Sequence, residues 1–353
     1  MKIGMLTLYQ SDSFGAVLQS YALLRAFSGP DVSCELISLK TQEETKSQKP
    51  DRTTPLERLV NRENRNRAKL FQQFREEHLW VSPAYFPEEI PHLSEKYDAF
   101  VVGSDQVWNP EIPEVDSRYF LPFAQDCQKF SYAASFGVRS ISPQCREYVC
   151  RYLKSFRTLS VRENSGKDIL LNELGRKGKV HLDPALLLQP EDWKKLMLPM
   201  PEEEPYLLVC FLIYQPEMIQ YAEKYASDYH LNIRYISSSF NIHIKITDWS
   251  RVSVSDWLNA ICHADAVITD SFHCTVFSIL WDRPFAVFPL KGNLAARNER
   301  LYSLLDMTDL SYNIKTIADH EPAKKANTVL SYERKKSLQY IQTIIDEIRS
   351  ENL

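Results

Sequence analysis

The chain reads as an α/β protein of two Rossmann-like domains with largely parallel sheets, their strand ends facing one cleft. Three observations predict this. Short apolar segments alternate with amphipathic ones through both halves, the pattern of strands joined by crossover helices. Segments such as "YLLVCFLI" run without polar alternation, as in strands covered on both faces. Midway, "QPEDWKKLMLPMPEEEP" is dense in proline and charge, the signature of a connection between domains. The division expected is 1–188 for an N-terminal domain and 189–353 for a C-terminal domain carrying His273.

"KIGMLTLY" is the first strand, "QSDSFGA" a loop, and "VLQSYALLRAF" a helix with Val17, Tyr21 and Leu24 on one face. "CELISLK" is the second strand. Residues 44–95 then turn strongly charged, with an amphipathic helix over 56–77, and read as an insertion or helical arm. Arg52, Arg58, Arg62, Arg65, Arg67, Lys69 and Arg75 crowd this segment. Their charge suits an anionic lipid surface or the diphosphate of a lipid-linked ligand, or simply a solvated helix face. Strand–loop alternation resumes at "YDAFVVGSDQVWNP", followed by "KFSYAASFG", a helix near 142–156, "TLSVREN", a helix near 165–174, and "VHLDPALLL". The second half repeats the rhythm: "YLLVCFLI", helix 216–228, "IRYISS", helix 255–263, "DAVITD", helix 274–280, "PFAVFPL", helix 298–305, and a closing helix over 329–350.

With 353 residues, 44% apolar, 25% charged and 12% aromatic, the composition is that of a globular protein able to bury a full core in each half. A net charge of -4 argues against nucleic acid as the main partner. The seven cysteines are odd in number and form no CxxC, which points to reduced thiols and a cytoplasmic protein. "MKIGMLTLY" reads as a strand rather than a signal peptide. No apolar run approaches the roughly 20 residues that span a bilayer, so membrane contact would be peripheral. GxGxxG, P-loop and HExxH patterns are absent, and "HAD" at 263–265 is too short for a metal site; nicotinamide, ATPase and zinc chemistry are disfavoured.

Five stretches could carry chemistry. In "DSFGAVLQSYAL", Ser13 and Gly15 stand at a helix start whose free N–H groups suit an anion or hydroxyl, unless they form only a cap and a turn. In "VVGSDQVWNP", Ser104, Asp105, Gln106 and Asn109 offer directional polar contacts and Trp108 a stacking face, as a sugar requires. The alternative is an Asx-turn network with Trp108 in the core. In "SVRENSG", Arg162 ends a strand and could grip a carboxylate or phosphate, or could instead pair with Glu163 in a structural network. In "VITDSFHCTVFSIL", Asp270, Ser271 and His273 stand at a strand-to-helix turn, where an imidazole is the natural proton donor and acceptor. The adjacent Cys274 points elsewhere on a helix and forms no catalytic pair. Last, "PLKGNLAARNERLYSLL" gathers Lys291, Arg297 and Arg300 around Gly292, a phosphate site or a solvated helix face.

Taken in order, "SFGAVLQSYAL", "YDAFVVGSDQVWNP", "SYAASFG", "SVRENSG", "LDPALLL" and "ADAVITDSFHCTVFSILWDRPFAV" resemble the polysaccharide pyruvyl transferase family from about Met1 to Leu305. The resemblance implies a GT-B-like arrangement and transfer of a pyruvyl group from phosphoenolpyruvate to a sugar of a polysaccharide or lipid-linked precursor, as a ketal. It implies no cofactor beyond that co-substrate and no metal. It places His273 at the family's functional histidine and makes Arg162 a candidate for donor binding. Where many members carry Arg-Leu-His, this chain has Ser271-Phe272-His273, so the arginine's anion-binding duty is either absent or falls elsewhere, with Arg162, Lys291, Arg297 and Arg300 as candidates. Ser13 stands where many members have asparagine. The rival expectation is a GT-B glycosyltransferase using a nucleotide sugar.

Overall fold

The computed structural model describes residues 1–40, 55–112, 115–199, 204–238, 251–317 and 323–351. In the first half, β1 (Lys2–Leu6), α1 (Phe14–Phe27), β2 (Ser33–Leu39), α2 (Pro55–His78), β3 (Val81–Tyr85), β4 (Ala99–Val102) and β5 (Lys129–Ser131) build a parallel sheet in the order β3-β2-β1-β4-β5. Beyond it come α3 (Pro143–Leu153), β6 (Ser160–Val161), α4 (Asn164–Asp168), β7 (Lys179–Val180) and α5 (Pro190–Lys194). β6 and β7 pair in parallel, and bridges at Phe130–Thr158 and Ala134–Val161 join them to the main sheet.

The second half contains β8 (Tyr206–Phe211), α6 (Pro216–Tyr229), β9 (Asn232–Ser237), α7 (Val254–Cys262), β10 (Ala266–Thr269), α8 (Phe272–Leu280), β11 (Phe285–Val287), α9 (Glu299–Thr308) and α10 (Ala323–Glu351). Its four strands are parallel in the order β11-β10-β8-β9. β4, β8 and β10 are buried along their whole length, as continuous apolar strands covered on both faces should be. The fold class expected from the alternation is the one observed.

Strand order reverses between β1 and β4 in one sheet and between β8 and β10 in the other. At such switch points adjacent loops leave in opposite directions and open a crevice beyond the strand carboxyl ends. The two crevices face each other. Between them one hydrophobic core is shared by both halves, including Ile3, Phe14 and Val17 with Trp257, Phe277 and Ile344. Phe14 stacks on Trp257 across the junction, ring centroids 5.1 Å apart at 11°. Burying such a ring contributes roughly 1.5–3 kcal/mol.

Two expectations about organisation need correction. Within the segment 44–95, residues 55–95 are not an insertion outside the sheet. β3 pairs with β2, and α2 is their crossover, with Phe71 and Phe74 buried. Residues 41–54, including Arg52, lie outside the described residues. The basic face of α2 is also partly turned inward. Arg67 is buried and donates to the Asp12 carbonyl, and Arg75 pairs with Asp12 at 3.1 Å. The closing helix, expected over 329–350, runs over Ala323–Glu351 and packs back on the first half. Tyr340 Oη donates to the Ser131 carbonyl at 3.1 Å, Ser337 Oγ accepts from Leu182 N–H, and Arg157 pairs with Glu347 and Glu351. Residues 189–353 therefore do not form a self-contained unit.

Candidate active site

The facing crevices enclose a cleft of about 950 Å³. On the first half its wall is the β1–α1 loop with the first turn of α1. Ser13 is the N-cap of α1 in extended conformation, and its hydroxyl makes no capping bond. The first helical amide to bond backward is Val17 N–H, to Ser13 O, so the amides before it remain unpaired within the helix. On the second half the wall is the start of α8. Ser271 caps that helix by accepting from Cys274 N–H at 3.4 Å, so the hydroxyl that lines the cleft also holds the turn.

His273 follows one residue into α8 and meets Gly15 across the cleft. A methyl group on Gly15 would lie 2.0 Å from His273 Nδ1. Glycine is needed there because the imidazole occupies the space a side chain would take. The close approach at Gly15 is made by a side chain of this protein. On the far side of the ring, His273 Nε2 is buried without a hydrogen-bond partner, and Asp183 Oδ2 lies 3.5 Å away.

Beneath the histidine lies a buried ionic cluster. Arg162 binds Asp183 at 2.5 Å and Asp105 at 3.2 Å, and Arg300 approaches Asp105 at 3.4 Å. Phe272 lies against both guanidinium groups, with 4.9 Å to Arg162 and 5.2 Å to Arg300. Burial alone would raise the carboxyl pKa of Asp105, but Arg162, Arg300 and His273 hold it below the usual range. Asp183 is likewise depressed: burial opposes its charge, and His273 and Arg162 outweigh that. Burial, with repulsion from Arg162, brings Arg300 down to about 10. Both carboxylates are therefore ionised and both arginines charged near neutral pH.

Of the expected site residues, Ser13, Gly15, Asp105, Gln106, Ser271, His273, Arg297 and Arg300 line the cleft together. Gln106 sits beside Arg300; with its amide oxygen turned toward the guanidinium it accepts from both terminal nitrogens at 3.2 Å. Four others are placed differently. Trp108 is buried in a cluster with Phe120, Phe136 and Phe156 and donates to the Tyr119 carbonyl, so it offers no face to a sugar. Asn109 is fully buried beside Gln106 and accepts from the Glu111 amide. Ser104 is fully buried and donates to the Ala133 carbonyl. These three organise the loop that presents Asp105 and Gln106. Lys291 turns away to pair with Glu217.

Arg162 is a fifth correction. It borders a smaller cavity of about 190 Å³ behind Phe272, not the cleft, and is held by two carboxylates. Its neighbour Glu163 accepts from the Phe136 and Gly137 amides rather than from Arg162. The sequence reading missed Asp183, which ends "HLD" before a proline, the place of a cap on a short helical turn. It also missed Arg67, whose spacing from Phe71 and Phe74 puts it on the buried face of α2. Arg67 lines the cleft, and burial lowers its pKa to about 10 against the charge of Asp12.

Two facing parallel sheets, a cleft at their switch points, and an imidazole set among arginines and carboxylates define a two-lobed α/β protein with a charged, polar cleft. The chain belongs to the polysaccharide pyruvyl transferase family, whose model matches residues 14–292. That family transfers pyruvyl groups to polysaccharide. No curated protein matches the chain. Among solved structures it is similar to the UDP-GlcNAc 2-epimerase of Neisseria meningitidis, with 9% identity over 94% of this chain and 99% of that one and a TM-score of 0.45. The corresponding epimerase of Methanocaldococcus jannaschii shares 13% identity over 94% and 100% of the two chains, TM-score 0.45. The E. coli ADP-heptose heptosyltransferase II shares 11% over 94% and 99%, TM-score 0.37. Among the described residues, no helix is long and apolar enough to cross a membrane, and no group of three His, Cys, Asp or Glu side chains could hold a metal ion.

Proposed function

We propose that the protein transfers the pyruvyl group of phosphoenolpyruvate to two hydroxyls of one sugar, forming a cyclic ketal and releasing phosphate. The observation that carries this reading is His273: a ring that can exchange protons, in a cleft it shares with Arg67, Arg297 and Arg300. Phosphoenolpyruvate brings a carboxylate and a phosphate, which need cations. Its methylene carbon must be protonated, which needs an acid.

The reaction balances without another co-reactant. A proton passes from the imidazolium of His273 to the methylene carbon, and the cation at C2 is attacked by a first sugar hydroxyl, whose proton returns to the ring. The C2–O bond to phosphate then breaks, and a second hydroxyl attacks C2 as its proton leaves with the phosphate. Arg297 and Arg300 hold the donor's charge. The first-turn amides of α1, with Ser13, Gln106 and Asp105, hold the acceptor hydroxyls in attack geometry, where positioning supplies much of the acceleration. The acceptor is a sugar unit of a polysaccharide or of its lipid-linked precursor, and the protein works in the cytoplasm at the membrane's inner face.

The test is mass spectrometry of candidate lipid-linked and free glycans incubated with protein and phosphoenolpyruvate. Addition of the pyruvyl mass together with stoichiometric phosphate release is the expected result. Calorimetric binding of a nucleotide sugar with no uptake of phosphoenolpyruvate would replace this reading with glycosyl transfer.

A further inference from the structure

We propose that Asp183 is a positioning residue for His273: it keeps the ring hydrogen on Nε2 and leaves Nδ1 as the nitrogen that exchanges protons in the cleft. This rests on the role given to His273 above.

Asp183 is fully buried as a side chain and fixed from several directions. It caps the short turn Pro184–Leu186, its Oδ1 accepting from Ala185 N–H at 3.0 Å, and its Oδ2 accepts from Arg162 Nη1 at 2.5 Å. Ser104 Oγ lies 3.5 Å from the same oxygen. The carboxylate therefore cannot follow the imidazole; the ring must be oriented by it. An ionised carboxylate only accepts, so a ring nitrogen facing it carries the hydrogen. Nε2 is that nitrogen. It is buried, has no hydrogen-bond partner, and stands 3.5 Å from Oδ2, a few tenths of an ångström beyond the usual ~2.7–3.2 Å range. An unpaired buried N–H is costly, and a slight approach of the two halves would close the gap.

Nδ1 is the opposite nitrogen, and it lies against the first turn of α1 at Gly15. With hydrogen fixed on Nε2, its lone pair is the only one the ring can offer. The charges agree with this division. Asp105 and Asp183 balance Arg162 and Arg300, so a proton arriving at Nδ1 makes an imidazolium stabilised by the Asp183 contact on its other edge.

The experiment is 15N NMR of protein labelled at histidine, with the His273 signals identified by their loss in His273→Ala. The neutral ring should show Nε2–H and an unprotonated Nδ1. In Asp183→Asn, an amide oxygen kept on Ala185 N–H, the bond Oδ1 makes in the wild type, sets the NH2 in the place of Oδ2, facing the ring and Arg162. Nε2 must then accept, and the hydrogen moves to Nδ1. That variant should keep its fold and lose about 10²–10⁴-fold in kcat, with KM changed by less than about threefold. Asp183→Glu should recover part of the loss. A wild-type ring in the Nδ1–H form, or a folded Asp183→Asn with wild-type kcat, overturns the inference. Should Asp183→Asn not fold, the wild-type spectrum decides alone. The spectrum needs no substrate: an Nε2–H ring in a protein that transfers no pyruvyl group discards the reaction and keeps the role of Asp183, and an Nδ1–H ring in an active protein does the reverse.

Discussion

"DSFG" at 12–15 and "DSFH" at 270–273 begin alike, and both carry the chain from a strand end into a helix facing the cleft. Each serine is an N-cap and each phenylalanine opens its helix, yet their surroundings diverge. Asp12 lies near the surface and pairs with Arg75, while Asp270 is buried and accepts from the Leu212 and Ile213 amides. Phe14 enters an aromatic core with Phe71 and Trp257; Phe272 lies against two arginines. The fourth residues meet one another, His273 filling the space that Gly15 leaves open. The shared three residues make a turn. The difference lies in the fourth, and in which surface of the opposite half each turn confronts.

The largest break in this pairing is His273→Ala, which leaves both turns intact and removes the proposed proton-transfer group. Pyruvyl transfer should fall by about 10²–10⁴-fold with the melting temperature nearly unchanged; full activity in that variant would falsify the assigned role. Gly15→Ala attacks the same contact from the other side. The added methyl displaces the imidazole, and a misplacement near 1 Å costs about a hundredfold in kcat. Normal turnover with a displaced ring would mean that the two turns act independently.

The aspartates sharpen the contrast through pH. Burial raises the Asp270 carboxyl to about 6, with the two amide donors pulling the other way. Its pKa when unfolded is near 3.9, so the folded state binds the extra proton between pH ~4 and ~6. This group's penalty is therefore full above pH 6 and is relieved as pH falls toward 4, a gain on the order of 2–3 kcal/mol. Unfolding titrations of wild type and Asp270→Asn should differ by that amount in their change across the window; parallel curves would show that the fold does not raise the Asp270 carboxyl. Asp105 and Asp183, whose folded pKa values are depressed, act oppositely, their contribution being lost only below about pH 4. The smallest effect belongs to the other turn. Asp12 and Arg75 are partly exposed, and Arg75→Ala should cost under about 1 kcal/mol. A larger loss in denaturant midpoint would place this ion pair among the supports of the cleft.

Much of the site was legible because it is local. A strand that ends in Asp-Ser-Phe-His and continues as an apolar helix must set those residues at the sheet's carboxyl edge, and the same reasoning located Ser13, Asp105 and Gln106. The errors share one cause. Trp108 and Asn109 have the residue types of a sugar site, yet the side chains around them, not their own polarity, decide whether they face a ligand or the core. Lys291 and Arg300 belong to one basic stretch; Glu217 draws the first outward and Asp105 the second inward.

Periodicity, apolar run length and turn residues act over a few positions, and by themselves they determined two parallel α/β layers, the elements in order except β3, and the strand ends that carry polar groups. Which of those ends would meet was decided only in three dimensions. Gly15 and His273 are 258 positions apart, Asp183 and His273 are 90, and α10 returns to the half of the chain where β5 began. Such contacts arise from packing one layer's surface on another's, where shape and charge across the junction select the partner and neighbours along the chain do not.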